Sequence, residues 1–283
     1  MSQLRRDYKK CERIIKKNSK TFYKAFSMLT NEDKKNAVYA VYAYCRYADD
    51  IIDQSNDLAA LNQLKKELDD FVRNEEVNNF IFRALLDVRK KFYQDFDFKP
   101  FYDMLEGQYM DLNFKPINSL EELRNYATKV ASSVGMMLTP ILAPNGNKEK
   151  LDLVSYHLGV GMQITNILRD IGEDYKINRI YLPSDLMSKY NYKISDLAIG
   201  LINDDFMNLF NEIAFTAKTH YRIALENMDV FPKEERQILT YALVLYREII
   251  DVIIENGYDV FSRKQSVSEM RKIKLIKEYT INE

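Results

Sequence analysis

Tryptophan is absent from the 283 residues, and cysteine and histidine occur twice each. Each scarcity narrows the chemistry. Cys11 and Cys45 have no metal-ligand spacing, and a lone bridge between them would be weak grounds for secretion. Reduced thiols in a cytoplasmic protein are the simpler reading. His157 and His220 fall in no nucleophile or zinc arrangement and read as ordinary helix residues. With GxGxxG, the P-loop and HExxH also missing, hydrolase triads and zinc catalysis are poor hypotheses.

Eight glycines and six prolines leave little material for turns and favour long helices. The most apolar run, from Val130 to Ala143, is broken by Ser132, Ser133 and Pro140 and is too short to span a bilayer. The N-terminal MSQLRRDYKKCERIIKK is charged throughout and has no signal-peptide core, and the C-terminal RKIKLIKEYTINE is not an anchor. A net charge of −1, without a strongly basic stripe before the tail, argues against nucleic acid as a partner. Basic residues near both ends suit peripheral contact with an anionic membrane surface.

What is present is helical. Residues are 46% hydrophobic, and apolar positions recur at three and four rather than alternating. The pattern predicts helices over 4–17, 20–28, 32–53, 58–73, 77–93, 99–111, 119–142, 148–173, 204–228, 233–256 and 267–279. Capping boxes are expected at Ser119 with Glu122 and at Ser266 with Glu269. Breaks fall at Pro100, Pro116, Pro144 to Gly146, Pro183 and Pro232. No low-complexity linker or fixed-period repeat intervenes, so residues 1–283 read as one all-α domain.

Two acidic pairs stand out. Asp49 and Asp53 lie in YAYCRYADDIID, and Asp170 and Asp174 lie in NILRDIGED. Residues four apart share a helix face about one turn apart, so each pair offers two carboxylates to one point. Such pairs are usually solvated, and like charges at this spacing cost an isolated helix a few tenths of a kcal/mol. Here Arg46 is the only cation between Tyr39 and Asp53 in a largely apolar helix, and buried carboxylates must be paired or bind metal. Asp53 with Asp57 repeats the spacing, as a by-product of the polar turn that follows. If the two helices face each other, four oxygen donors converge as Mg²⁺ and phosphate oxygens require. Tyr42, Arg46, Asp49 and Asp53 form one stripe. Gln163, Asn166, Asp170 and Asp174 form the other, flanked by Arg169 and Glu173. Gly159 and Gly161, one to two turns earlier, fit either room for an elongated apolar substrate or close helix packing.

These blocks, with NSKTFYKAF (18–26), VASSVGMMLTPIL (130–142) and the longer GMQITNILRDIGEDYKINRIYLP (161–183), resemble the squalene and phytoene synthase family of head-to-head prenyl transferases. The likeness runs nearly end to end, and chain length is that of small bacterial members. Asn18 and Thr21 depart mildly, standing where some members carry histidine and serine. The resemblance implies an all-α isoprenoid-synthase fold with a central cavity. It implies Mg²⁺ held through diphosphate by Asp49, Asp53, Asp170 and Asp174, with Asn166 nearby. Ser19, Thr21, Arg46, Gln163, Arg169, Tyr246, Arg263 and Lys272 are implied as diphosphate contacts, Lys272 only after a one-residue shift. Phe22, Phe26, Tyr42, Val130 and Leu138 would line a prenyl tunnel, and Tyr126 and Tyr181 would stand near the carbocations. The implied reaction joins two farnesyl diphosphates through a presqualene-type diphosphate into dehydrosqualene (4,4'-diapophytoene), as in C30 carotenoid biosynthesis, with no NADPH expected. Phytoene synthesis from geranylgeranyl diphosphate and NADPH-dependent squalene synthesis are the alternatives. A non-catalytic helical scaffold with an acidic groove is the rival of another class.

Overall fold

A computed structural model describes residues 2–55 and 57–281. Among them there is no strand. The chain forms α1 (Gln3–Asn18), α2 (Lys20–Phe26), α3 (Glu32–Ser55), α4 (Leu58–Val72), α5 (Phe80–Phe92), α6 (Lys99–Leu112) and α7 (Leu120–Ala127). A π-helical turn, Thr128–Ser132, leads into α8 (Ser133–Leu142), then α9 (Lys148–Lys176), α10 (Ser184–Lys189), α11 (Ile194–Ala198), α12 (Asp204–Glu226), α13 (Lys233–Glu255) and α14 (Glu269–Ile281).

The helices start where side chains satisfy the free amides of a first turn. Asn147 accepts from the Lys150 amide at α9, Asn203 from Phe206 at α12, and Asp57 from Ala59 and Ala60 at α4. Asp57 is thus a cap rather than a third metal-facing acid. The polar turn before it includes Asn56, which lies outside the described residues. Ser119 caps α7 as expected, accepting from the Glu122 amide. At α14 the cap is Ser268, which accepts from Arg271, and not Ser266.

Three departures from the periodic pattern have physical reasons. Residues 119–142 are not one α-helix, because the π turn interrupts them. A Cβ on Gly159 would lie 2.4 Å from the Ser132 backbone, and one on Gly107 would lie 2.4 Å from Val130, so α6 and α9 close on that turn from two sides. A Cβ on Gly161 would meet the Tyr221 ring at 3.1 Å, so close packing is the role of both Gly159 and Gly161. Helices α10 and α11 are too short to produce a legible period.

Helix α9 is central, with α12, α8, α13 and the π turn against it, while α3 packs on α1, α5 and α8. No helix among the described residues is long and apolar enough to cross a membrane. Cys11 and Cys45 are free and buried.

Candidate active site: a chamber between two acidic helices

A cavity of about 410 Å³ runs between α3 and α9. On α3 its wall passes from Val38 and Val41 through Tyr42 and Cys45 to Arg46 and Asp49. On α9 it passes from Val154 and Leu158 through Gly159 and Met162 to Gln163, Asn166 and Arg169. Both helices therefore turn from apolar to polar toward their C-terminal ends. At 1.5 Å per residue the α3 wall spans about 16 Å. Phe22, Phe26, Val130, Leu138 and Tyr246 complete the apolar lining with Phe231 and Leu239, and Ser19 lies at its edge. The Tyr246 ring stacks on Phe22 with centroids 5.5 Å apart. Burial pushes the Tyr42 hydroxyl up to about 12.

At the polar end the four carboxylates differ in environment. Burial, then the charge of Asp53, pushes Asp49 up to about 7. Its Oδ1 accepts from the Gln108 amide at 2.9 Å, because Arg46 is engaged with Asp50, one turn further along α3. Asp53 is exposed. Burial, then the charge of Asp170, pushes Asp174 up to about 7. Burial acts in the same sense on Asp170, yet Arg169 and Lys264 outweigh it and hold this carboxyl below the usual range. Arg169 grips it with two hydrogen bonds, at 2.8 and 2.5 Å, and Lys264 Nζ lies 3.0 Å from its Oδ1.

Between the pairs stands Asp111 on α6, whose charge acts on both Asp49 and Asp174. It accepts from the Tyr126 hydroxyl at 3.0 Å and from Tyr181 at 2.8 Å, and the two rings stack with centroids 5.1 Å apart. Burial raises its own titration, which Tyr181 and Arg179 oppose. The C-terminal ends of α3 and α9 and one turn of α6 thus meet at a common acidic centre.

Two buried polar atoms, Asn166 Oδ1 and Arg46 Nε, have no hydrogen-bond partner. Buried polar groups are otherwise almost always satisfied, so both stand ready for a ligand. An acceptor on Asn166 on the same helix as Asp170 and Asp174 is a donor set that suits a hard divalent cation. An orphaned guanidinium N–H on Arg46, a residue of the chamber wall, suits phosphate oxygen. The residues fit Mg²⁺ with diphosphate. No group of three or more acidic, histidine or cysteine side chains is pre-assembled as a metal site among the described residues.

Of the residues expected to contact substrate, Ser19, Phe22, Phe26, Tyr42, Arg46, Val130, Leu138, Gln163, Asn166, Arg169 and Tyr246 line the chamber with Asp49. Thr21 does not, although Ser19 beside it does. Arg263 is exposed and lies 3.9 Å from Asp259, and Lys272 pairs with Glu269 at 2.6 Å, so neither reaches the cavity here. Tyr126 and Tyr181 are buried behind it against Asp111. Gln108, Asp111, Arg179 and Lys264 escaped the sequence reading. A glutamine and an aspartate three apart on an otherwise apolar helix face were the available signal for the first two.

An all-α chamber with opposed acidic helices at one end is the architecture of the isoprenoid synthases. A sequence model of the family described as Squalene/phytoene synthase matches residues 15–271, and the chain belongs to that family. It is 31% identical over 281 residues to a 4,4'-diapophytoene synthase of Staphylococcus haemolyticus, covering 97% of this chain and 96% of that protein. It is 32% identical over 293 residues to a 15-cis-phytoene synthase of Synechococcus elongatus, covering 96% and 92%. A crystal structure of a dehydrosqualene synthase in complex with ligand superposes with a TM-score of 0.91 at 38% identity, covering 99% of this chain and 97% of that one.

Proposed function

We propose that this chain condenses two farnesyl diphosphates head to head into dehydrosqualene (4,4'-diapophytoene), releasing diphosphate. The carrying observation is the polarity gradient of one chamber. Its α3 and α9 walls are apolar over most of their length and polar at Arg46, Asp49, Gln163, Asn166 and Arg169. An amphiphile with an anionic head and a long hydrocarbon tail matches that gradient. Asp49, Asp53, Asp170, Asp174 and Asn166 would hold Mg²⁺, which when bound neutralises charge developing on departing diphosphate. Arg46, Gln163 and Arg169 orient the same head group, and fixed cations aimed at developing charge are the largest catalytic lever available to such a site. The apolar walls keep water from the allylic cation. Without a hydride donor the second cation ends by losing a proton, which leaves a central double bond.

The test is product analysis. Farnesyl diphosphate and Mg²⁺ without nicotinamide should yield a C30 hydrocarbon with conjugated-triene absorbance, unchanged by NADPH. Squalene formed on adding NADPH would overturn the reading. So would exclusive use of geranylgeranyl diphosphate to give a C40 product, the outcome that the likeness to a phytoene synthase makes specific.

A cytoplasmic setting at a membrane surface belongs to the same proposal. Arg5, Arg6, Lys9, Arg13, Lys16 and Lys17 are exposed on the outer side of α1, whose inner side buries Tyr8, Cys11 and Ile15. Helix α1 ends at the chamber, where Ile15 and Asn18 join its wall. A basic face beside the mouth suits an anionic bilayer that supplies amphiphilic substrate and receives hydrocarbon product.

A further inference from the structure

Lys264 belongs to a strap between α13 and α14 that is built rather than loose. Asp259 accepts from the Ser262 amide at 2.9 Å, and Gln265, itself 4% exposed, donates to the Asp259 carbonyl at 2.6 Å. Asn256 in turn donates to Gln265 at 2.9 Å. The strap crosses α9 at Gly172, midway between Asp170 and Asp174. A Cβ there would lie 2.7 Å from the Val260 carbonyl and 2.9 Å from Phe261 Cα, so only glycine permits the crossing. The result is a fixed root from which Lys264 Nζ reaches Asp170 at 3.0 Å and Glu173 at 2.9 Å.

Both oxygens of Asp170 are thereby occupied by cations of the protein itself, Arg169 on each and Lys264 on one. A carboxylate that is to ligate a metal must give such partners up. Arg169, which lines the chamber, grips the same carboxylate, so Lys264 Nζ stands beside the chamber's polar end. Its half-exposed four-carbon stem allows a swing without moving the strap.

We infer that Lys264 is a tethered stand-in for the metal: it neutralises Asp170 in the free protein, yields that carboxylate to Mg²⁺, and then binds the diphosphate that the metal brings. It is a substrate-positioning residue, placed at the site that the sequence resemblance gave to its neighbour Arg263. The inference rests on the Mg²⁺–diphosphate reading above.

Its signature is a pair of opposite effects. Removing the cation takes away a competitor for Asp170, so Mg²⁺ alone should bind more tightly. It also takes away a diphosphate contact, so inorganic diphosphate at saturating Mg²⁺ should bind more weakly. Lys264→Met and Lys264→Gln should each lower the half-saturating Mg²⁺ concentration, read by calorimetry or thermal shift without substrate, by about threefold to tenfold. They should raise the diphosphate dissociation constant by a similar factor, while Lys264→Arg, which keeps the charge, returns both toward the parent values. Lys274→Gln, an exposed α14 control, should change neither. Unchanged or weakened Mg²⁺ binding in a folded Lys264→Met overturns the inference and leaves the site reading standing. If the parent protein binds Mg²⁺ neither with nor without diphosphate, the site reading fails and the inference falls with it.

Discussion

The side-chain amide of Gln108 donates to Oδ1 of Asp49 at 2.9 Å, so a neutral residue on α6 aims the first acidic pair. Among the described residues no ion pair is made to that oxygen, and Arg46 is turned to Asp50. Groups that orient a metal-binding carboxylate typically matter tenfold to a hundredfold. Gln108→Leu should therefore lower kcat about tenfold or more and raise the Mg²⁺ requirement, with helical content unchanged. Steady-state kinetics across a Mg²⁺ titration checks this, and a parent-like Mg²⁺ curve contradicts it.

Asp49→Asn and Asp170→Asn should each lower turnover by about 100-fold or more, the scale of a key electrostatic group at a developing charge. Their stabilities should diverge. The folded state raises Asp49 from 3.8 to about 7, so folding binds a proton there, and the associated stability is present at low pH and lost as pH rises through 7. Metal-free Asp49→Asn should thus melt above the parent at pH 8, with the gap closing at pH 5. Asp170→Asn strands Arg169 and Lys264 instead and should melt below the parent. Circular-dichroism melts in chelator separate the two.

His157 Nδ1 and His220 Nδ1 face each other at 3.0 Å, and burial, then the neighbouring His157, pushes His220 down to about 4. A base whose folded value is depressed contributes stability above its unfolded value, here 6.5, and loses it as pH falls toward 4. Unfolding free energy should drop across that window with a slope reaching about 1.4 kcal/mol per pH unit per proton, and the melting temperature with it. His220→Gln should flatten it. An identical pH profile in the variant would count against the pair as the titrating element.

The basic face of α1 should carry vesicle binding. Co-sedimentation with phosphatidylglycerol vesicles should be strong at low salt, absent with phosphatidylcholine alone, and abolished in Lys9→Glu/Arg13→Glu/Lys16→Glu, each charge being worth about 1 kcal/mol near an anionic surface. Turnover in detergent should survive the triple change, because these side chains point away from the chamber. Equal binding to both vesicle types would refute an electrostatic contact.

Much of this site was legible in the chain because α-helical spacing converts number into direction. Asp49 and Asp53, or Gln163, Asn166 and Asp170, need no tertiary knowledge to be set on one face, and the long helices follow from the same period. The π turn at Thr128–Ser132 has no such local cause: it depends on glycines 21 residues before it and 27 after, by the sequence numbers of Gly107, Thr128, Ser132 and Gly159. Lys264 was likewise hidden, since nothing in its own segment announces that Gly172 lets the strap lie against α9. The acidic stripe also implied an equivalence among the four carboxylates that the fold removes, by giving Asp170 two cations and Asp49 an amide.

The contact of Gly159 with Ser132 has a consequence for re-engineering. There α9 and the π turn meet main chain to main chain, so their separation cannot be changed by trimming side chains. What remains adjustable is reach: Phe26, Leu138, Phe231 and Leu239 can be shortened one by one. Variants selected for longer substrates should accumulate at such positions and leave Gly107 and Gly159 untouched.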